Sequence, residues 1–194
     1  MGCSSSLVSP HARKNVSYAL QAMETSESIM RQLSLFPKAH GDKDVDGRTP
    51  LMWSIMENRL HMFRKLLALG ANFKAEDCHG ENALFYAIRC GHLDIAKELI
   101  SRGCSIHGRN GSSETLLHVA CESGHIDIAV YLISEGINDQ AKDALDCRAR
   151  RRLKTDSHRV AYDNAVSERA GAHPNPNPNP GTSSGSVTPV QRVT

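Results

Sequence analysis

Aromatic residues are scarce. One Trp, four Tyr and four Phe make up 5% of the 194 residues, so any core must be mostly aliphatic. Neither charge dominates. The 23 Lys+Arg and 21 Asp+Glu leave a net +2, which argues against a chain-wide nucleic-acid footprint. No run approaches the roughly 18 apolar residues of a membrane-spanning helix. The N-terminal segment lacks the compact apolar block of a secretory signal. The six cysteines (Cys3, Cys78, Cys90, Cys104, Cys121, Cys147) contain no CxxC pair, and with no export signal they read as reduced cytosolic thiols. Phosphate-binding glycine loops and paired-carboxylate patterns are also missing. Length and composition fit one domain with tails.

The two ends are distinctive. Met1, Gly2, Cys3 and Ser4 to Ser6 fit Met-Gly-x-x-x-Ser, which predicts N-myristoylation at Gly2, with palmitoylation of the adjacent Cys3. One myristoyl chain binds membranes marginally, on the order of 10⁴ M⁻¹, whereas two chains anchor stably. At the other end, residues 171–194 hold five of the eight prolines, alternating with Asn between His173 and Pro180. Proline removes backbone donors and biases its neighbours away from helix, so a disordered tail is expected there. It contains no Pro-x-x-Pro.

Between the ends the chain repeats every 33 residues. Gly91 to Gly103 and Gly124 to Gly136 are identical at nine of 13 positions. The same offset aligns Leu51, Leu84 and Leu117; Leu66, Leu99 and Leu132; Gly70, Gly103 and Gly136; Met62, Ile95 and Ile128; and Phe63, Ala96 and Ala129. Each unit reads as two short helices. Thr49 caps the first helix with Pro50 at its first position, and Thr115 caps its counterpart. Gly91 and Gly124 break the pair apart. Leu93, Ala96, Leu99 and Ile100 share one face of a second helix, which ends at Gly103. Polar hairpins such as Glu76 to Gly80 join the units.

Asp44 to Leu51 (DVDGRTPL), Leu66 to Ala71 (LLALGA) and Thr115 to His118 (TLLH) resemble ankyrin repeats, whose period is 33. The resemblance covers residues 44–142. It implies an all-α ankyrin-repeat solenoid of helix-turn-helix units with short β-hairpin loops. Unit 1 departs from the pattern with Asn58 and Arg59 where Gly-His is usual, and with Met52 for His. Unit 2 reads Asn82 to Phe85 for Thr-Pro-Leu-His. Unit 3 has Ser113 at the turn glycine and Ile137 for Ala. The domain reading is 1–14 acylated and flexible, 15–43 a degenerate N-terminal cap, 44–142 three repeats, 143–170 a degenerate C-terminal cap and 171–194 the tail. Around Ala144 to Ala149 the register is expected to slip by about five residues.

Sites of chemistry are weak. Asp42 to Gly47 imitates an EF-hand loop, but position twelve is Trp53 rather than a bidentate Glu. Cys78-His79 with Cys104 and His107 lacks the paired spacing of structural zinc. No metal, cofactor, catalytic residue or small-molecule substrate is therefore expected. Cys121 and His125 have i, i+4 spacing, but Gly124 separates them, and Cys121 reads as core. His92, His118 and His125 sit at the positions that the resemblance makes structural. Arg148, Arg150, Arg151, Arg152 and Lys154 form a basic run. It reads as the solvated face of a capping helix, with nuclear import, nucleic-acid contact or anionic-lipid contact as its functional alternatives.

The resemblance implies protein recognition on the concave surface. Its positions here are Val45, Asp46 and Arg48; Met56 and Glu57; Cys78, His79 and Glu81; Arg89; and Arg109, Ser112, Glu114 and Glu122. Arg48, Arg89 and Arg109 are the expected anchors. Together these features describe a non-catalytic adaptor or scaffold, tethered by acyl chains to the cytoplasmic face of a membrane. The plasma membrane is the default, with ciliary or flagellar membranes open. The alternative is a soluble cytosolic or nuclear regulator that uses residues 148–154 as an import signal. No nucleic-acid partner is expected in either case.

Overall fold

The computed structural model describes residues 41–172. Gly2, Cys3, nearly all of the 15–43 segment and the tail from His173 lie outside the described residues.

The hairpins set the geometry. Asp44 Oδ1 accepts the N–H groups of Asp46 (2.9 Å) and Arg48 (2.8 Å). Asp77 Oδ1 holds those of His79 and Glu81 in the same way, Asn110 Oδ1 those of Ser112 and Glu114, and Asp143 Oδ1 those of Leu145 and Cys147. Asn and Asp suit this task because a short side-chain acceptor can bond its own backbone two residues on. Each loop then turns through a left-handed residue: Gly47 (φ 78°), Gly80 (φ 71°), Ser113 (φ 59°) and Asp146 (φ 59°). Backbone bonds stitch each hairpin to the next, from Cys78 N–H to Asp46 O, Gly111 N–H to His79 O and Ala144 N–H to Ser112 O.

The four acceptors are spaced by 33 residues throughout, so the expected five-residue slip does not occur in the fourth hairpin. The register changes after it. The first helix of unit 4 shrinks to one 3₁₀ turn, Ala149–Arg152. The following helix begins at Asp156, not at Arg159 where the offset would place it.

Three helix pairs follow the hairpins. They are α1 (Pro50–Met56) with α2 (Leu60–Ala68), α3 (Ala83–Arg89) with α4 (Leu93–Ser101), and α5 (Leu116–Ser123) with α6 (Ile126–Ser134). Thr115 N–H donates to His118 Nδ1, and the Thr115 hydroxyl meets the same nitrogen at 2.8 Å. The other ring nitrogen meets Cys147 O at 2.9 Å, so the Nε2–H tautomer satisfies both sides and ties unit 3 to the fourth hairpin. In unit 1, Met52 Sδ takes the imidazole's place, accepting from Thr49 N–H. Asn82 caps α3 through Leu84 N–H. Asn58 (φ 52°) supplies the left-handed break that Gly91 and Gly124 supply elsewhere. At Gly91 a side chain is doubly excluded: φ is 79°, and a Cβ would sit 2.6 Å from the His125 ring.

The aligned leucine rows are fully buried, and the core is one continuous cluster along the stack. Each buried leucine contributes about 1.5–3 kcal/mol. On α4 the buried face is centred on Ile95, Ala96 and Leu99, while Leu93 and Ile100 are half-buried at its margins. The stack closes with α7 (Asp156–Ala172), which buries Tyr162 and Ala165 against α6. Arg169 reaches from α7 to the carbonyls of Ile137 (2.5 Å) and Gly136 (3.2 Å), covering acceptors that the end of α6 leaves open.

Ser113 occupies a left-handed position that costs a side-chain-bearing residue about 1 kcal/mol. Ser113→Gly should raise the urea midpoint by a stabilisation of about that size, with an unchanged slope. A lowered midpoint would mean that the serine hydroxyl contributes more than the strain costs.

Candidate protein-binding face

The second side-chain atom of each hairpin residue reaches toward the first helix. Asp44 Oδ2 accepts from Trp53 Nε1 (2.7 Å), Asp77 Oδ2 from the Tyr86 hydroxyl (2.6 Å) and Asp143 Oδ2 from Arg152 Nη2 (2.5 Å). Trp53, Tyr86 and Arg152 are themselves 33 and 66 residues apart. The missing member is Val119, which has no donor. There the hairpin carries Asn110 rather than Asp, so no carboxylate oxygen is left facing a valine. Its amide donates instead to Glu81 Oε1 (3.1 Å) and Glu114 Oε2 (2.8 Å).

These contacts form a polar chain across three units. Arg89 donates to Glu81, and Asn110 joins Glu81 to Glu114. Glu114 pairs with Arg152 at 2.7 Å, and Arg152 continues to Glu122 (2.5 Å) and Asp143. Burial alone would raise the Asp77 carboxyl. The Tyr86 hydroxyl and the N–H groups of Glu81 and His79 outweigh it and hold the acid below its usual range. Burial and Asp77 together push the Tyr86 hydroxyl up. The Cys147 N–H is the largest influence on Asp143 and, with Arg152, brings its carboxyl to about 2 against the opposing effect of burial. Burial opposes charge on Arg152 too, but Asp143 and Glu114 raise it above the ordinary guanidinium value.

An open groove of about 670 Å³ runs over units 1 to 3 above this chain. Of the expected contact residues, Arg48, Met56, Cys78, His79, Glu81, Arg89, Ser112 and Glu114 line it together. Val45, Asp46, Glu57, Arg109 and Glu122 are not part of its lining. Arg109 Nη1 donates to the carbonyls of Ser113 (2.5 Å) and Lys142 (2.7 Å), and the side chain is exposed. Arg48 pairs with Asp46 at 3.0 Å and lies over the Trp53 ring. Glu81 and Glu114 form a largely buried acidic floor, and the Arg89 side chain above them is 44% exposed. Tyr86 and Asn110 also line the groove. Sequence reasoning missed both, although the offset from Trp53 and from Asp77 pointed to them.

The basic run divides. Arg150 makes a two-pronged pair with Asp163, both contacts at 2.6 Å, and Arg152 belongs to the polar chain. Ala149 and Leu153 are core residues. Arg148, Arg151 and Lys154 are exposed and have no acidic partner among the described residues. The expectation of a wholly solvated capping-helix face is corrected accordingly. The run forms a short 3₁₀ turn with two of its five cations tied into the fold.

Cys121 is buried in the core, and burial pushes it up to about 12 against the opposing Arg152 charge. His125 turns its Nε2 to the Arg89 carbonyl at 3.1 Å. Both Asp44 oxygens, at the third position of the EF-hand-like stretch, accept protein N–H groups. Among the described residues no cluster of three or more His, Cys, Asp or Glu could hold a metal. None of the described helices is long and apolar enough to cross a membrane.

A carboxyl held below its unfolded value stabilises the fold fully above that value, and the contribution is lost as pH falls through the folded one. Asp143 thus contributes above about pH 4 and loses its contribution toward about pH 2. Asp143→Asn should be less stable than the parent near neutral pH and should lose stability less steeply between about pH 4 and pH 2. Denaturant titrations across that range measure both. An Asn variant as acid-sensitive as its parent would place the acid response elsewhere, with Asp77 the next carboxyl to test.

A family description for three copies of ankyrin repeats matches residues 17–110, and one for a single ankyrin repeat matches residues 113–144. The first match begins within the 15–43 segment, and the second ends inside the fourth hairpin. A search of curated proteins finds no match to the chain. Arrays of such repeats are protein–protein interaction modules and are generally not catalytic. The repeat spacing, the stapled hairpins and the stacked helix pairs agree with both matches, and the chain belongs to the ankyrin-repeat family.

Proposed function

We propose that this protein is a membrane-tethered adaptor. Gly2 and Cys3 carry the acyl chains, and the groove over units 1 to 3 receives a protein partner. The observation that carries the partner reading is the convergence of Arg48, Met56, His79 and Arg89 on one groove. Arg48 and His79 stand on stapled hairpins, and Met56 and Arg89 end packed helices, so little ordering entropy is lost when a partner docks. The groove mixes cations with Met56 and Tyr86 above buried acids. That favours a folded or extended protein surface over a small ligand, which a deep and mostly apolar pocket would suit better. The tether reading is supported by the Met-Gly-Cys start and by two-chain anchoring energetics.

Two measurements test the two halves. Fractionation of cells expressing the full chain should find it with membranes, Gly2→Ala in the soluble fraction and Cys3→Ser in between. If all three are soluble, the tether reading fails and the soluble-regulator reading replaces it. For a partner identified by proximity labelling, Arg48→Ala with Arg89→Ala should weaken binding roughly tenfold or more. Lys65→Ala, on the exposed side of α2, should leave binding unchanged. Equal affinity for both variants would mean that the groove is not the contact face.

A further inference from the structure

The fourth hairpin carries a cationic cleft that the repeat pattern does not account for. Lys142, Arg148, Arg150 and Arg151 surround an open space of about 340 Å³, with Asp146 as its one acid. Lys142 pairs with Asp146 and Arg150 with Asp163, which leaves Arg148 and Arg151 as its uncompensated charges among the described residues. Lys154 adds a third exposed cation three residues on. The short 3₁₀ turn Ala149–Arg152 carries Arg151, with Arg148 extended at its start, and both line the cleft while Ala149 faces the core. At the tip of the same hairpin, next in sequence to the cleft's Asp146, Leu145 is a large apolar side chain that is 78% exposed.

We propose that this cleft docks the end of the stack on an anionic membrane surface, with Arg148, Arg151 and Lys154 meeting lipid phosphates and Leu145 entering the headgroup boundary. The proposal deepens the tethered-adaptor reading and rests on it for its cellular setting. A basic surface beside an exposed apolar side chain matches a bilayer interface, where charge meets headgroups and an apolar group gains from partial burial. An import receptor fits less well. It would read the run as extended chain, yet Ala149 and Leu153 are core residues and Arg150 and Arg152 are bound to acids. Nucleic acid fits less well because no aromatic side chain lines the cleft to stack a base. Gly41 enters the described array at one end and the cleft lies at the other. An acyl tether on the N-terminal side and a cationic contact on the fourth hairpin would lay the solenoid along the membrane.

The test uses the full chain prepared without acyl groups, so that its result does not depend on the tether. Wild type should bind phosphatidylcholine vesicles containing phosphatidylserine and should not bind phosphatidylcholine alone. The combined Arg148→Ala, Arg151→Ala, Lys154→Ala variant should lose roughly fivefold per cation, about a hundredfold together. Leu145→Ser should lose about tenfold. The charge-matched variant Lys65→Ala, Lys74→Ala, Lys97→Ala should bind as wild type, and thermal melts should show all variants folded. The proposal is overturned if the cleft variant binds vesicles as wild type does, or if the charge-matched control loses as much. It is also overturned if wild type ignores the vesicles but binds inorganic pyrophosphate or an oligonucleotide through the same residues. Because no acyl chain is present, failure here leaves the Gly2→Ala fractionation result standing, and failure of that fractionation leaves this one standing.

Discussion

Everything in this array hangs on one oxygen per repeat. At Asp44, Asp77, Asn110 and Asp143 a single side-chain acceptor gathers two backbone N–H groups of a five-residue loop. Most of those bonds are at least part-buried, and a buried donor left without a partner costs about 1–3 kcal/mol. Once the loop is closed, its backbone bonds the next loop, and the helix pairs follow at the spacing so imposed. Gly47 shows how tight this is, because a Cβ there would lie 3.0 Å from Cys78 N. The continuous apolar core, with the leucine rows running through it, supplies the burial energy. Burial alone is non-directional, however, and the staples are what fix the stacking step.

The second atom of the same residue links the hairpin to the binding face. Where it is a carboxylate oxygen, position 53, 86 or 152 offers a donor; where position 119 is valine, the acid becomes an amide. A buried carboxylate without a donor would be costly, so the two positions form a matched pair. At Asn110 the freed amide turns outward and joins Glu81 to Glu114. That contact converts separate hairpin staples into a chain from Arg89 to Arg152. Its buried charges contribute less to stability than to arrangement, since desolvation offsets much of their attraction. What they do is hold Glu81 and Glu114, the floor of the groove, in one geometry.

Much of this was legible in the sequence. The 33-residue offset located the helices, the leucine rows and both threonine caps, and eight of the named surface residues do line one groove. Other features have physical reasons that only the fold shows. Met52 aligns with the histidine position, and its thioether accepts the same N–H that the imidazole does. Asn58 and Ser113, which align with glycine positions, and Asp146 take left-handed φ without being glycine. The apparent slip in the fourth unit arose from aligning apolar residues after a helix that had shrunk to one turn, while the polar hairpin pattern stayed in step. Arg109 Nη1 bonds two backbone carbonyls, a contact to which its place in the sequence gives no clue.

The basic run shows most clearly why charge counting misleads. Five cations in seven residues read as one patch, because a string has no sides. Folded around one 3₁₀ turn, the string acquires sides. Ala149 and Leu153 enter the core, and Arg152 turns to Asp143, Glu114 and Glu122. Arg150 pairs with Asp163 at the edge of the cleft. Arg148 and Arg151 are left in solvent. Two arginines thus complete the cap by neutralising acids that would otherwise repel one another at the end of the stack. The remaining cations are free because the turn has already spent the others. A reader that needs the whole run extended must first break the Arg152 cluster, which also anchors the far end of the groove floor. The fold therefore sets access to those five charges against the integrity of the binding face, and it leaves to an outside partner just the three that the cap does not use.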